Sequence, residues 1–227
     1  MFWKAKKKID YDDLHDPCAD DFAGIMHRTE TMLEKIQELP QKIAFLDYII
    51  NAVKQELIGW GLYEIVRRDR HAAFSTYRSF FPFGYDSGKN QKRWVSFAEA
   101  DVLVIPYDER KLLSAISDIL KEGFKKEKNA FDAFYLPEIN LLIIANGRHH
   151  SAAAYAKNQG GVQAFVTPLI DHLPVYKAEG VNWWENGKQL KYGTSDFRGA
   201  LIFELFRIRH GLAQQEEAKS GDSAVTE

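Results

Sequence analysis

One segment determines the architecture of the chain: Leu141-Leu142-Ile143-Ile144-Ala145-Asn146-Gly147-Arg148-His149-His150-Ser151-Ala152-Ala153-Ala154. An uninterrupted apolar run that ends at a glycine is typical of a strand covered on both faces of a sheet. Gly147 permits a tight turn because it has no side chain. The alanines after Ser151 favour a helix that lies close to the sheet. The segment therefore predicts a strand, a tight turn and a helix.

The flanking segments extend this unit in both directions. Residues 102–106 are apolar and predict a short buried strand, and apolar residues at helical spacing predict a helix over 112–120 that ends at Gly123. Residues 162–166 predict a further strand after Gly160-Gly161. The predicted order is strand, helix, strand, turn, helix, strand.

The N-terminal part is predicted to be helical. Apolar residues recur at helical spacing over residues 22–36 and again over 43–60, and Pro40 separates the two runs. We expect Gly59 and Gly61 to end the second helix and residues 62–66 to form a short third one.

The C-terminal part is predicted to be a hairpin and a helix. Asn186-Gly187 is a strong hairpin signal between residues 175–184 and 189–192, because both residues tolerate positive φ. Ser195 or Asp196 is expected to cap the last helix.

Together these signals predict an α+β protein. We divide it into an acidic flexible leader (1–21), a helical region with an aromatic and basic connector (22–97), an α/β core with the C-terminal hairpin and helix (98–212), and a disordered tail (213–227).

Composition excludes several classes of protein. Lys and Arg total 30 and Asp and Glu total 32, so the formal net charge is −2 and nucleic-acid binding would need a local basic patch. Cys18 is the one cysteine, which excludes an internal disulfide framework and a multi-cysteine metal site. No signal peptide or membrane-spanning run is recognised, so we expect a cytoplasmic protein with no membrane partner.

The turn after the second strand has the chemistry of a phosphate cradle. A helix N-terminus presents backbone N–H groups and the positive end of the helix dipole to an anion. The candidate phosphate-binding residues are Asn146, Gly147, Arg148, His149, His150 and Ser151.

The same residues resemble the ParB/sulfiredoxin-like superfamily. Its signature is an apolar strand, a Gly-x-His-Arg turn, an Ala-rich helix, a glycine and another strand, and the resemblance covers roughly residues 100–170. Members include a CTP-hydrolysing DNA clamp, an ATP-dependent sulfinic-acid reductase, an ADP-dependent serine kinase and nucleases. The resemblance implies a nucleotide triphosphate or diphosphate ligand with Mg²⁺, held at Gly147 and His149.

Departures from the signature argue against some of the activities found in the superfamily. His150 stands where the superfamily has Arg, and Arg148 occupies the variable position. The turn contains no cysteine, which argues against the reductase, and no helix-turn-helix follows the core, which argues against chromosome partition. The resemblance therefore points to a separate bacterial family within the superfamily.

The leading hypothesis is binding of a nucleotide or another phosphate-bearing ligand, with phosphoryl transfer or phosphodiester cleavage as the reaction if the protein is an enzyme. Such a reaction needs a carboxylate that holds Mg²⁺ or acts as a base. The candidates are Asp108, Glu109 and Glu138, with His149 as a further catalytic residue.

Three alternatives remain open at this stage. The aromatic and basic segment 67–94 is a candidate surface for nucleic acid or protein, because aromatic rings interleaved with cations suit base stacking and phosphate contact. Its candidate basic residues are Arg67, Arg68, Arg78, Lys92 and Arg93. The second alternative is a metal site in which His172 or a carboxylate joins His149 and His150. The third is a purely structural turn.

Overall fold

The computed structural model describes residues 17–67, 80–83, 91–124, 132–191, 194 and 196–223. Its elements follow one another as α1 (Pro17–Lys35), α2 (Leu39–Arg67), β1 (Lys92–Ser96), β2 (Asp101–Leu103), α3 (Glu109–Glu122), β3 (Ala133–Leu136), β4 (Leu141–Ile144), α4 (Arg148–Tyr155), β5 (Gly161–Val166), β6 (Tyr176–Glu179), β7 (Asn182–Glu185), β8 (Lys188–Gln189) and α5 (Phe197–Ser223). Short 3₁₀ turns at Pro137–Ile139 and Leu169–His172 connect strands. The predicted α+β class is confirmed.

The larger sheet has the strand order β1-β5-β3-β4-β2. Strand β4 pairs antiparallel with β3 and parallel with β2, so it lies inside the sheet. Its side chains alternate between two apolar clusters. Leu141 and Ile143 join the cluster formed with α2 and α5. Leu142 and Ile144 join the cluster formed with α3 and α4. The sheet is therefore covered on both faces, as the apolar run predicted.

Helix α2 is longer than the sequence analysis predicted. It runs without a break through Gly59 and Gly61, so the predicted third helix is part of it. A Cβ atom at Gly61 would lie 3.1 Å from a Leu103 side-chain carbon and 3.3 Å from the Val104 carbonyl oxygen. The glycine is thus needed for close approach of the helix to the sheet rather than for ending the helix.

Several other boundaries differ from the predictions. Strands β1 and β3 were not predicted at all. Helix α1 starts at Pro17, inside the predicted leader, and α5 continues to Ser223, so residues 213–223 are helical rather than disordered. The long strand predicted over 175–184 is divided by a turn at Gly180, where φ is 61°, which makes the hairpin a three-stranded sheet.

Other local predictions are confirmed. Asn186 and Gly187 have φ values of 50° and 78°, as a two-residue hairpin turn between β7 and β8 requires. Asp196 caps α5 by accepting the Arg198 backbone N–H at 2.8 Å. Trp183 is fully buried while Trp184 is partly exposed, because successive side chains of β7 point to opposite faces. In the part of the chain that the structure describes, no helix has the length and apolar character needed to cross a membrane.

The start of α5 is packed too closely to accept a larger residue. A Cβ atom at Gly199 would lie 2.2 Å from the Phe80 carbonyl oxygen, whereas one at Gly211 in the same helix would meet nothing within 4 Å. We expect Gly199→Ala to lower the free energy of unfolding by about 1–3 kcal/mol through overpacking. Gly211→Ala should leave it unchanged or raise it by up to about 1 kcal/mol, because alanine favours helix. Urea unfolding of both variants tests this, and equal stabilities would contradict the packing of α5 on Phe80.

Candidate functional site

The candidate site lies where β2 and β4 end. Because these two strands are parallel neighbours, their carboxyl ends meet at one edge of the sheet, where α/β proteins commonly bind ligands. The chain enters α3 after β2 and α4 after β4, so the N-termini of both helices lie at this edge. A cavity of about 290 Å³ lies between them. Its lining residues are Tyr107, Lys111, Ser114, Asn146, Gly147, Arg148, His149 and His150.

The turn into α4 has the predicted geometry. Gly147 adopts a left-handed conformation with φ 75° and ψ 21°, which a glycine allows without strain. The Asn146 side-chain oxygen accepts the Gly147 N–H at 2.8 Å. Ser151 donates the first hydrogen bond of the helix, to the Gly147 carbonyl oxygen. The backbone N–H groups of residues 148–150 therefore have no acceptor within the helix, and these residues line the cavity.

His149 connects the two strand ends. Its Nε2 atom accepts the backbone N–H groups of Asp108, at 3.1 Å, and Tyr107, at 3.4 Å. A nitrogen that accepts these bonds carries no proton, so the buried imidazole is neutral with its proton on Nδ1. Burial lowers the pKa of His149, which agrees with the neutral form. The structure therefore gives His149, predicted as a phosphate-binding and catalytic residue, a positioning role through its Nε2 atom.

Two cations meet at the ring of Tyr107, which is about half exposed. The Arg148 guanidinium carbon lies 4.4 Å from the ring centroid, and the Lys111 ammonium nitrogen lies 5.6 Å from it. Burial lowers the pKa of Arg148, but a guanidinium stays charged in proteins. Two like charges beside one cavity repel each other and attract an anion.

Sequence analysis missed Lys111, although a signal was present. Lys111 lies in the first turn of α3, where its charge opposes the positive end of the helix dipole. Part of that cost is offset by electrostatic attraction to the Asp108 carboxylate at the helix N-cap. Tyr107, whose ring both cations approach, was also missed.

The remaining predicted phosphate ligands, His150 and Ser151, differ in their position relative to the cavity. His150 lines the cavity, and its Nε2 atom lies 3.8 Å from a carboxylate oxygen of Asp118, a pair that is ionic only when the imidazole is protonated. Ser151 does not line the cavity. Its hydroxyl group is buried and has no hydrogen-bond partner among the described residues.

The three predicted catalytic carboxylates do not line the cavity. Asp108 caps α3 by accepting the Lys111 backbone N–H at 3.1 Å, and this bond lowers the pKa of the carboxyl group. Glu109 is exposed in the first turn of α3. Glu138 lies before β4, at the end of the strand opposite to Gly147, and accepts the backbone N–H groups of Leu169 and Ile170. Its assignment to the site is corrected, because closeness in sequence to β4 placed it at the wrong end of the strand.

The structure does not support a histidine metal site. His172 stacks on Phe83 at 4.2 Å, in the apolar cluster on the face of the sheet opposite to α3 and α4. Within the described ranges, no group of three His, Cys, Asp or Glu side chains could hold a metal ion.

The candidate nucleic-acid residues fall partly outside the described residues. Those outside are Arg68, Arg78 and the side chain of Arg67. Lys92 and Arg93 are neighbours on β1 and so point to opposite faces of the sheet. Lys92 lies over the Phe165 ring at 4.4 Å and Arg93 over the Tyr135 ring at 5.7 Å. These two cations therefore do not form one surface.

The chain belongs to a family of unknown function, DUF6710, which it matches over residues 4–216. It matches no curated protein and no solved structure. The resemblance to the ParB/sulfiredoxin-like superfamily stays a prediction.

The positioning role of His149 predicts different costs for the two adjacent histidines. His149→Ala removes the acceptor of two backbone N–H groups, so we expect a loss of about 1–3 kcal/mol in the free energy of unfolding. His150→Ala removes a partly exposed side chain and should change it by no more than about 0.5 kcal/mol. Denaturant unfolding of both variants measures the difference. Equal losses would contradict the assigned role.

The neutral state of His149 predicts a pH dependence of stability. Burial lowers its pKa in the folded protein below the ordinary value of 6.5, so the unfolded chain binds more protons below that pH. The stabilisation is complete above pH 6.5 and is lost as the pH falls through the folded pKa. Burial also lowers the pKa of His172, which acts in the same direction.

The variant His149→Gln separates the two histidines, because glutamine keeps an acceptor oxygen that does not titrate. We expect its free energy of unfolding to fall less steeply below pH 6.5 than that of the wild type. Unfolding curves across this pH range provide the comparison. Parallel pH profiles would show that His149 does not contribute.

Proposed function

We propose that the cavity between the N-termini of α3 and α4 binds a phosphate group of a nucleotide or of another phosphate ester. The observation that carries the proposal is the convergence of Arg148 and Lys111 on Tyr107, beside the first turn of α4. Charge and hydrogen-bond donors are thus brought to one place by two different segments of the chain.

The donors complement each other. The first turn of α4 offers backbone N–H groups and the positive end of its dipole, which suit an oxyanion. Arg148 and Lys111 add full positive charges, and a guanidinium can bond two phosphate oxygens at once. A cavity of about 290 Å³ lies near the lower limit of ligand pockets, which begins at roughly 300 Å³. It suits a phosphate group with part of its substituent, and the rest of a nucleotide would lie outside.

Binding is better supported than catalysis. Phosphoryl transfer or phosphodiester cleavage needs a base or a metal-holding carboxylate beside the phosphate. Asp108 is engaged in capping α3, Glu109 is exposed away from the lining, and Glu138 lies at the other end of β4. The phosphate turn of the superfamily that the sequence resembles supports the same ligand class, with Arg148 as the charged residue of the turn.

Thermal unfolding with ATP, ADP, CTP, GTP and UTP tests the proposal. A ligand at about 100 times its Kd adds about 2.7 kcal/mol of stability. For a chain of this length that corresponds to a rise in Tm of roughly 5–10 °C. We expect Arg148→Gln to lose the rise, because it removes the charge beside the cavity.

Lys157→Gln is the matched control, because Lys157 is an exposed cation just beyond the C-terminal end of α4. It should keep the full rise in Tm. The proposal is contradicted if no nucleotide changes the Tm of the wild type, or if both variants retain the same rise.

A further inference from the structure

A second cavity, of about 550 Å³, lies against α5 and the three-stranded sheet β6-β7-β8. Helix α5 covers the face of the larger sheet opposite to α3 and α4, and the two cavities share no lining residue. The volume falls within the range of roughly 300–1,000 Å³ that is usual for small-molecule sites. The second cavity is therefore large enough for a ligand of its own.

This cavity is lined by a tryptophan ring that the protein itself leaves uncovered. Trp184 pairs with Lys177 across β6 and β7, and it points to the face of the small sheet opposite to that of the buried Trp183. Its side chain belongs to neither apolar cluster. Among the described residues, no aromatic ring, cation or hydrogen-bond acceptor engages the indole of Trp184. Trp184 thus offers a ligand both a flat apolar surface and an N–H donor.

The neighbouring side chains make Trp184 the stacking surface of the cavity. Tyr176, the other aromatic residue of the lining, already packs its ring against Phe83, with 5.5 Å between the ring centroids. Pro174 and Val175 border the same space and add apolar surface. These residues suit a planar ring that stacks on Trp184, and every nucleobase has such a face.

An amide group lies beside this stacking surface. Asn186 lines the cavity from the turn between β7 and β8, where its side chain is exposed. Within the described part of the chain, this side chain makes no hydrogen bond. A carboxamide carries a donor and an acceptor side by side, and it pairs with adenine through the N6 and N7 atoms of the base. The cavity therefore combines a surface for stacking with a group that matches the edge of a purine.

The charged residues of the lining balance each other. The Arg207 Nε atom donates to a Glu204 carboxylate oxygen at 2.8 Å, and the other oxygen of Glu204 accepts the Ala178 backbone N–H at 2.8 Å. Lys177 and Glu179, two residues apart on β6, place one charge of each sign on the same face. Two cations and two carboxylates give no net attraction to a phosphate. The lining therefore favours an uncharged ring.

We infer that the cavity between α5 and the three-stranded sheet binds an uncharged adenine-type base, which stacks on Trp184 and presents its polar edge to Asn186. The base and the proposed phosphate ligand occupy opposite sides of the larger sheet, so one mononucleotide does not fill both cavities. This second site is independent of the proposed function.

Calorimetric titration of the whole chain with adenosine tests the second site, because adenosine has an adenine base and no phosphate. We expect Trp184→Ala to weaken the Kd for adenosine by about tenfold or more, a difference of about 1.4 kcal/mol. Trp184→Phe keeps an aromatic ring and should lose less. Trp94→Ala is the matched control, because it removes a partly exposed tryptophan from β1 in the other sheet. It should bind adenosine as the wild type does.

A change at Asn186 tests the polar edge and leaves the stacking surface intact. Asn186→Asp keeps the hairpin turn, since Asp-Gly suits the same turn as Asn-Gly, but it removes the amide donor. We expect the Kd for adenosine to weaken by about 3–10-fold, as the loss of one hydrogen bond predicts. This variant decides the matter if Trp184→Ala does not fold.

The outcomes distinguish the two cavities. Arg148→Gln should bind adenosine as the wild type does, because Arg148 lies at the other cavity. The second site is overturned if the wild type does not bind adenosine, if the Trp184 and Asn186 variants bind it as well as the wild type, or if Arg148→Gln alone loses it. None of these results removes the proposed phosphate site, which the Tm series with nucleotides tests separately.

Discussion

The burial of β4 on both faces is the constraint on which the rest of the structure depends. Its four residues, Leu141–Ile144, are almost completely inaccessible, so each face of the sheet needs a layer of helices. Helices α2 and α5 supply one layer, and α3 and α4 supply the other. Because α3 and α4 follow two parallel strands directly, covering the sheet also brings their N-termini to one edge. The cavity is thus a consequence of how the core is closed.

Two helix N-termini at one edge create a demand for hydrogen-bond acceptors. Backbone N–H groups that are buried without a partner cost about 1–3 kcal/mol each. His149 meets part of this demand with a single nitrogen atom, which takes the N–H groups of Tyr107 and Asp108. An acidic side chain in the same place would neutralise the cations that line the cavity. A neutral imidazole joins the two segments and adds no negative charge beside Arg148 and Lys111.

The sequence predicts the elements whose signals are local. The apolar run of β4, the Gly147 turn and the Asn186-Gly187 turn are each specified by consecutive residues. Strand β3 was missed because its four residues become a strand through pairing with β4 and β5, which are distant in sequence or separated by a turn. Likewise, the turn residues of the site were predicted. The acceptor role of His149 was not, because its partners lie about forty residues earlier in the chain.

The start of α4 differs from an ordinary helix N-terminus in its charge. Acidic residues favour the first turn of a helix, since they complement the positive end of its dipole. Helix α4 has none there and begins instead with Arg148-His149-His150. Lys111 adds a further cation from the first turn of α3. A turn that served stability alone would gain from an acid at these positions, and local departures of this kind are expected where a chain binds a ligand. An anion at the cavity would complement the positive end of α4, which has no acidic residue in its first turn.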